Sequence, residues 1–292
     1  MEYIIQNKLL QIQISDYGAE LQSIKNINDG VEYLWQGDPQ LWPDRSPVIF
    51  PYVGRLTESR YEYQGKQYFM PIHGFAPTSY FDVLDHQEQS VSFCLSSNPQ
   101  TLSQYPFEFE LWVTYTLENN KLTVTYQVTN RGSSTMYFGL GGHPGFRIPL
   151  ESGLDFEDYQ LTFSSICDPV RIGFTDSVFL SGNNYPFPLE NGTTLHLSHE
   201  LFNEDAIILK GTSQTLMLHS SGGDRKIVLF NPNMPYLGFW QVPKSNAQFL
   251  CVEPWSSLPS RQGVIEDIQK QPDLLSLAAG ETYQTYWSAS FF

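Results

Sequence analysis

Apolar residues alternate with polar ones at period two along almost the whole chain, in short runs broken by turn-forming residues. Leu9-Leu-Gln-Ile-Gln-Ile14 alternates and leads through Tyr17-Gly-Ala-Glu-Leu21 into a second short run. Tyr61-Glu-Tyr63 and Lys66-Gln-Tyr-Phe69 flank Gln64-Gly65, the signature of a hairpin. Residues 91–95, 107–116 and 121–128 carry the same signal, the last two joined at Glu118-Asn-Asn120. The second half continues with 159–163, 193–197, 206–209, 215–219, 226–230, 237–241, 249–253 and a closing strand at 283–292. Helical periodicity is confined to single turns at 199–202, after Ser198 as a cap, and at 264–269. Many short strands with turns between them specify an all-β chain, a large sandwich or barrel. No linker, low-complexity tract or repeat divides it, and the longest irregular pieces, 37–52 and 168–192, are too mixed in composition to be linkers. Residues 1–292 are therefore read as one domain.

Composition narrows the partners. A net charge of −15, from 16 Lys+Arg against 31 Asp+Glu, argues against nucleic acid, whose affinity rests on cationic contacts, and against an anionic membrane surface. The three cysteines, Cys94, Cys167 and Cys251, are widely spaced and form no CxxC, which fits a reducing compartment. The first residues lack the pattern of a signal peptide, and no window approaches the roughly 18 apolar residues of a membrane span. A soluble, cytoplasmic protein is expected.

One stretch stands apart. Gly139-Leu-Gly-Gly-His-Pro-Gly-Phe146 follows the strand pattern at Tyr137-Phe138 and sets four glycines and a proline around His143. Glycine permits φ > 0 and close backbone approach, and proline fixes φ. This positions a side chain whose ordinary pKa lies near neutrality. Taken alone, the stretch is equally a Gly-rich turn with a structural histidine. Four further stretches share its character: Phe50-Pro-Tyr-Val-Gly-Arg55, Pro71-Ile-His-Gly-Phe75, Phe202-Asn-Glu-Asp205 and Cys251-Val-Glu-Pro-Trp255. Arg55 is a ligand contact or a surface ion pair, His73 a ligand or a turn cap, and Asp205 most simply begins a strand or caps a turn. Glu253 differs, because a carboxylate ending the apolar run Phe249-Leu-Cys-Val252 is costly to bury unless paired. Partial enclosure by Pro254 and Trp255 would push its pKa toward neutrality, as a general base requires, and His143 can carry the complementary proton. Spacing alone does not bring the two together.

Other chemistries find little support. His196 and His199 would point to opposite faces of a strand, and no further ligands complete a metal set. The 139–145 loop lacks the Lys-Ser/Thr of a P-loop and any βαβ setting, and there is no G-x-S-x-G elbow.

With Ser46-Pro-Val-Ile-Phe-Pro-Tyr-Val-Gly-Arg55, Ile72-His-Gly-Phe75, Gly142-His-Pro-Gly-Phe146 and Val252-Glu-Pro-Trp255 in this order, the chain resembles the aldose 1-epimerase (galactose mutarotase-like) family, particularly its LacX-like branch. The likeness runs from Tyr17-Gly-Ala-Glu-Leu21 to the Ala-Gly-Glu281 turn. It implies a large antiparallel β-supersandwich with a sugar site on a concave face. It implies, too, that Glu253 takes the proton of the anomeric hydroxyl while His143 protonates the ring oxygen. Arg55 and His73 would bind sugar hydroxyls, and Asp205 maps to the acidic sugar-binding position. The resemblance implies neither metal nor cofactor. The expected ligand is a small-molecule hexose or hexose phosphate, bound by a monomer or homodimer. Sugars offer apolar C–H faces as well as hydroxyls, so Phe75 and Trp255, with Phe146 and Trp240, are candidate platforms.

Three alternatives stay open on the same scaffold. A hexose-6-phosphate mutarotase would need a cation near C6, for which Arg147 is the candidate. A non-catalytic sugar-binding protein would not need a matched acid and base. A glycoside hydrolase would need two carboxylates, with Asp205 as the partner of Glu253.

Overall fold

The computed structural model describes residues 1–292. Two large antiparallel sheets dominate it, and together they form a β-supersandwich. The nine-stranded sheet runs in the order Thr194–His196, Tyr159–Phe163, Thr215–Ser220, Lys226–Phe230, Thr282–Phe291, Lys121–Asn130, Phe109–Glu118, Ser90–Ser96, Asp82–Gln87. The eight-stranded sheet runs Tyr185–Pro186, Val170–Arg171, Ile207–Lys210, Tyr236–Trp240, Phe249–Trp255, Gly141–Gly142, Val48–Ile49, with Gly145–Arg147 also paired to Phe249–Trp255. Three smaller sheets flank them, and in one Glu266–Asp267 lies parallel to Arg60–Tyr63.

The period-two pattern explains the register. Leu111, Val113, Tyr115 and Leu117 stand opposite Val128, Tyr126, Val124 and Leu122, all buried, and cross-strand apolar pairs of this kind hold a sheet together. The main apolar cluster extends from Ile5 to Phe291. Phe249–Trp255 is buried on both faces: Leu250 and Val252 enter that cluster, while Phe249, Cys251, Glu253 and Trp255 share the other face. That second face becomes the floor of a cleft.

Three local expectations are corrected. Residues 264–269 form no helical turn. The Glu266 carboxylate instead accepts from Arg261 Nε and Nη2 at 2.8 Å each and from its backbone N–H at 3.1 Å, so a side-chain clamp closes this loop. His199–Phe202 is a 3₁₀ turn as expected, but Ser198 makes no side-chain cap. The one α-helix, Pro99–Gln104, was not anticipated, although Asn98 caps it by accepting from the Gln100 and Thr101 N–H groups.

Candidate active site

The loop carrying His143 is threaded between two segments and bonded to both. Gly139 and His143 donate N–H bonds to Pro51 and Pro47 (2.7 and 3.1 Å), and Gly145 donates to Arg45 (2.8 Å). On the other side Pro144 accepts from Val252 at 3.1 Å, and Gly141 pairs with Trp255. Its glycines serve close approach. None of Gly139, Gly141, Gly142 or Gly145 has positive φ. A Cβ on Gly142 would lie 2.7 Å from Trp287 Nε1, and one on Gly145 would lie 2.6 Å from Trp42 Cζ3. The segment opposite is propped by Glu20 of the Tyr17-Gly-Ala-Glu-Leu21 stretch, which accepts the N–H groups of Arg45 and Ser46 at 2.8 and 2.9 Å.

This threading brings His143 Nε2 within 3.1 Å of Glu253 Oε2. The two atoms are not aligned for a hydrogen bond, and Glu253 Oε2 and His143 Nδ1 are both buried without hydrogen-bond partners. Glu253 is 1 % exposed and His143 8 %. Gly238 faces Glu253 across the neighbouring strand and leaves room for its carboxylate. Around the imidazole stand Trp42, His73 and Trp240, with ring centroids at 5.1, 5.4 and 5.7 Å.

Burial pushes the Glu253 carboxyl well above the usual carboxylate range, and the nearby Asp205 adds to the shift. Burial pushes His143 well below the usual histidine value, and His73 adds to that. A neutral carboxyl beside a neutral imidazole holds the same number of protons as a carboxylate beside an imidazolium. Over a wide pH range the pair thus carries one mobile proton that either member can hold.

The other expected residues divide. Arg55, His73, Asp205, Trp240 and Trp255 line the same cleft as Glu253 and His143, a cavity of about 270 Å³, near the lower end of the roughly 300–1,000 Å³ of ligand pockets. The Gly54 N–H donates to His73 Nδ1 at 3.3 Å, which leaves the His73 proton on Nε2. Burial, aided by Arg55, lowers His73 to about 4, so at neutral pH it is an uncharged donor. Arg55 is exposed to the cleft and pairs with no carboxylate. Asp205 both precedes the strand Ile207–Lys210 and lines the cleft, its Oδ1 accepting the Ala206 N–H at 2.8 Å.

Phe75, Phe146 and Arg147 are corrected. Phe75 is buried against Phe50, Tyr105 and Phe109, and Phe146 lies in the same core; neither lines the cleft. Arg147 lines a separate surface depression with Arg225, because the three residues after Pro144 pair outward along Phe249–Cys251. His196 and His199 do not form a pair: His196 meets Glu190 and His199 meets Gln241. The sequence reading missed Trp42, Asp44, Ile72, Phe174, Val178 and Pro259 in the cleft wall. Trp42 and Asp44 sit in 37–52, and Phe174 and Val178 in 168–192, the two long irregular stretches whose length was itself the signal.

The sequence profile of the aldose 1-epimerase family matches residues 1–285. The chain is 34% identical to "Protein LacX, chromosomal" of Lactococcus lactis subsp. lactis over 288 residues, 94% of each protein. Among solved structures, the galactose mutarotase related enzyme of Lactobacillus acidophilus superposes with a TM-score of 0.95 at 34% identity, covering 100% of this chain and 97% of that one. The galactose mutarotase-like protein of Lactobacillus casei ATCC 334 gives the same TM-score and identity, with 100% of both chains covered.

Proposed function

We propose that this chain, which belongs to the aldose 1-epimerase family, is a mutarotase that interconverts the α and β anomers of an unphosphorylated hexose, with Glu253 and His143 moving the protons. The observation that carries the proposal is the buried Glu253–His143 pair at the floor of a sugar-sized cleft, its facing atoms 3.1 Å apart and its Glu253 Oε2 and His143 Nδ1 without hydrogen-bond partners.

In the ring-opening step Glu253 accepts the proton of the C1 hydroxyl while His143 gives a proton to the ring oxygen. The C1–ring-oxygen bond breaks, its electron pair goes to that oxygen, and C1 becomes an aldehyde. Rotation about C1–C2 presents the other carbonyl face, and closure returns both protons. Each positioned proton transfer typically contributes about 10²–10⁴-fold. Since opening and closing are one reaction in reverse, each group acts in turn as acid and as base. His73 Nε2–H, Arg55 and Asp205 supply hydroxyl contacts, and Trp42, Trp240 and Trp255 supply apolar faces.

Charge favours a neutral sugar. The cleft holds one cation, Arg55, against the carboxyl groups of Asp44, Asp205 and Glu253, a poor setting for a phosphate dianion. The test is polarimetric relaxation of freshly dissolved α-D-galactose and α-D-glucose, each also as the 6-phosphate. Faster relaxation of the free sugars alone supports the proposal, and faster relaxation of the phosphates alone moves the substrate to hexose 6-phosphates. No acceleration, with a sugar nevertheless raising the melting temperature, would leave a binding protein.

A further inference from the structure

Cys251 lies on the same strand face as Glu253, two residues before it, and the proposed reaction makes no use of it. It is fully buried, as are Ala247 and Phe249 beside it, and Trp42 of the same cluster is largely buried. The ligand atoms of His143, Cys251 and Glu253 all lie within 4.8 Å of one another. We propose that these three side chains form a site for a single thiophilic divalent cation, Zn²⁺ or Cd²⁺, seated on the proton-transfer pair.

The His143–Glu253 pair already stands at the spacing such an ion needs, and Cys251 Sγ, within 4.8 Å of both, closes on it by a side-chain adjustment of about 1 Å or less. Tetrahedral Zn²⁺ with bonds of about 2.0–2.1 Å to N and O places those atoms about 3.3 Å apart, and His143 Nε2 and Glu253 Oε2 stand at 3.1 Å. Glu253 Oε2 is buried, unpartnered and free to coordinate. His143 and Glu253 line the cleft while Cys251 lies buried behind them, so the fourth position on the cleft side is left to water, as in open zinc sites. Sulfur in the set selects against Mg²⁺ and Ca²⁺. As the metal bonds form, the thiol proton and the one proton held by the Glu253–His143 pair both leave to solvent, because every ligand must be deprotonated. Binding rests on the three side chains alone. Its consequence, inhibition, rests on the reading of Glu253 and His143 given above.

The experiment titrates the reduced, metal-free chain with Cd²⁺, following the ultraviolet thiolate-to-cadmium charge-transfer band, and with Zn²⁺ by calorimetry. Wild type should bind one ion per chain with the band present, and Zn²⁺ should abolish anomer exchange reversibly with a chelator while Mg²⁺ does not. Cys251→Ser should lose the band and bind Zn²⁺ at least about tenfold more weakly, since losing even an outer-shell partner costs about 10–100-fold. If Cys251→Ser folds poorly by circular dichroism, Cys251→Ala replaces it, and Glu253→Gln should keep the band while weakening Zn²⁺. An unchanged band or unchanged Zn²⁺ affinity in the Cys251 variants, or no saturable binding by wild type, overturns the site. A chain that binds Cd²⁺ through Cys251 but accelerates no anomer exchange upholds the site and refutes the mutarotase reading alone.

Discussion

Replacing Gly238 by alanine puts a methyl group against the side chain that carries the proposed base. The new Cβ would lie 3.2 Å from Glu253 Cβ, 3.7 Å from its carboxyl carbon and 2.9 Å from Ile208 Cδ1. Ordinary carbon–carbon contact begins at about 3.5 Å. The Ile208 methyl, at the end of a flexible side chain, can withdraw the roughly 0.6 Å required. Glu253 Cβ is fixed to a central strand, so its few tenths of an ångström pass to the carboxylate. Gly238 has no positive φ, and alanine adds no backbone strain there. Overpacking of this kind costs about 1–3 kcal/mol, a melting shift of about 2–4 °C per kcal/mol in a chain of this size. A displacement of 1 Å can cost about 10²-fold in rate, so about 0.3 Å should lower kcat about fourfold, or about 0.8 kcal/mol of barrier, with KM nearly unchanged. Saturation kinetics by polarimetry and a thermal melt read both quantities. An unchanged kcat in a variant that melts lower would refute the claim that Gly238 sets the carboxylate position. A raised KM at constant kcat would assign the glycine to binding.

Three further outcomes follow from the site. The pair needs one proton between its members, so the rate falls on the acid side only as pH drops through the depressed His143 value, and on the alkaline side as it rises through the raised Glu253 value. Lowering the pH from about 7 to about 6 should therefore change kcat by less than about twofold, whereas an acid limb centred on the ordinary histidine pKa would contradict the reading. A carboxyl raised by burial stabilises the fold below its ordinary value of 4.5, and that contribution is lost as pH rises through the raised value. The melting-temperature advantage of Glu253→Gln over wild type should accordingly grow between pH 4.5 and about 8, and a constant difference would show that Glu253 is not desolvated. Arg55→Met removes a charged hydrogen bond worth about 1.5–3 kcal/mol, so KM should rise about tenfold or more with a smaller effect on kcat. An unchanged KM would place Arg55 outside the sugar contacts.

The strands were legible because alternation at period two is a local property: 159–163 and 226–230 coincide with the observed strands residue for residue. The edge strands Glu2–Gln6 and Asp82–Gln87 were not read, since they are largely exposed and lack the alternation. Glu253 stood out because a carboxylate on an otherwise apolar strand is costly to bury, and the structure sets it 3.1 Å from His143 with its carboxyl pushed toward the neutral form. Phe75 and Phe146 show the limit of this approach: beside a motif, an aromatic residue reads alike whether it faces ligand or core. Arg147 shows another limit, since only the outward pairing of its strand with Phe249 reveals that it leaves the cleft. Trp42, Phe174 and Val178 enter the cleft from irregular segments, where no periodicity reports the direction of a side chain. Cys251 was read only as evidence of a reducing compartment, because its proximity to His143 is made by tertiary threading.

The central claim is that Glu253 and His143 act as one proton-transfer unit. Polarimetric rate constants for Glu253→Gln, His143→Asn and the double variant on α-D-galactose or α-D-glucose test it most directly. Each single change should cost about 10²–10⁴-fold, and the double variant should be no slower than the slower single, because a unit broken once has little left to lose. Near wild-type rates in either single variant, or losses that multiply in the double, would contradict the account.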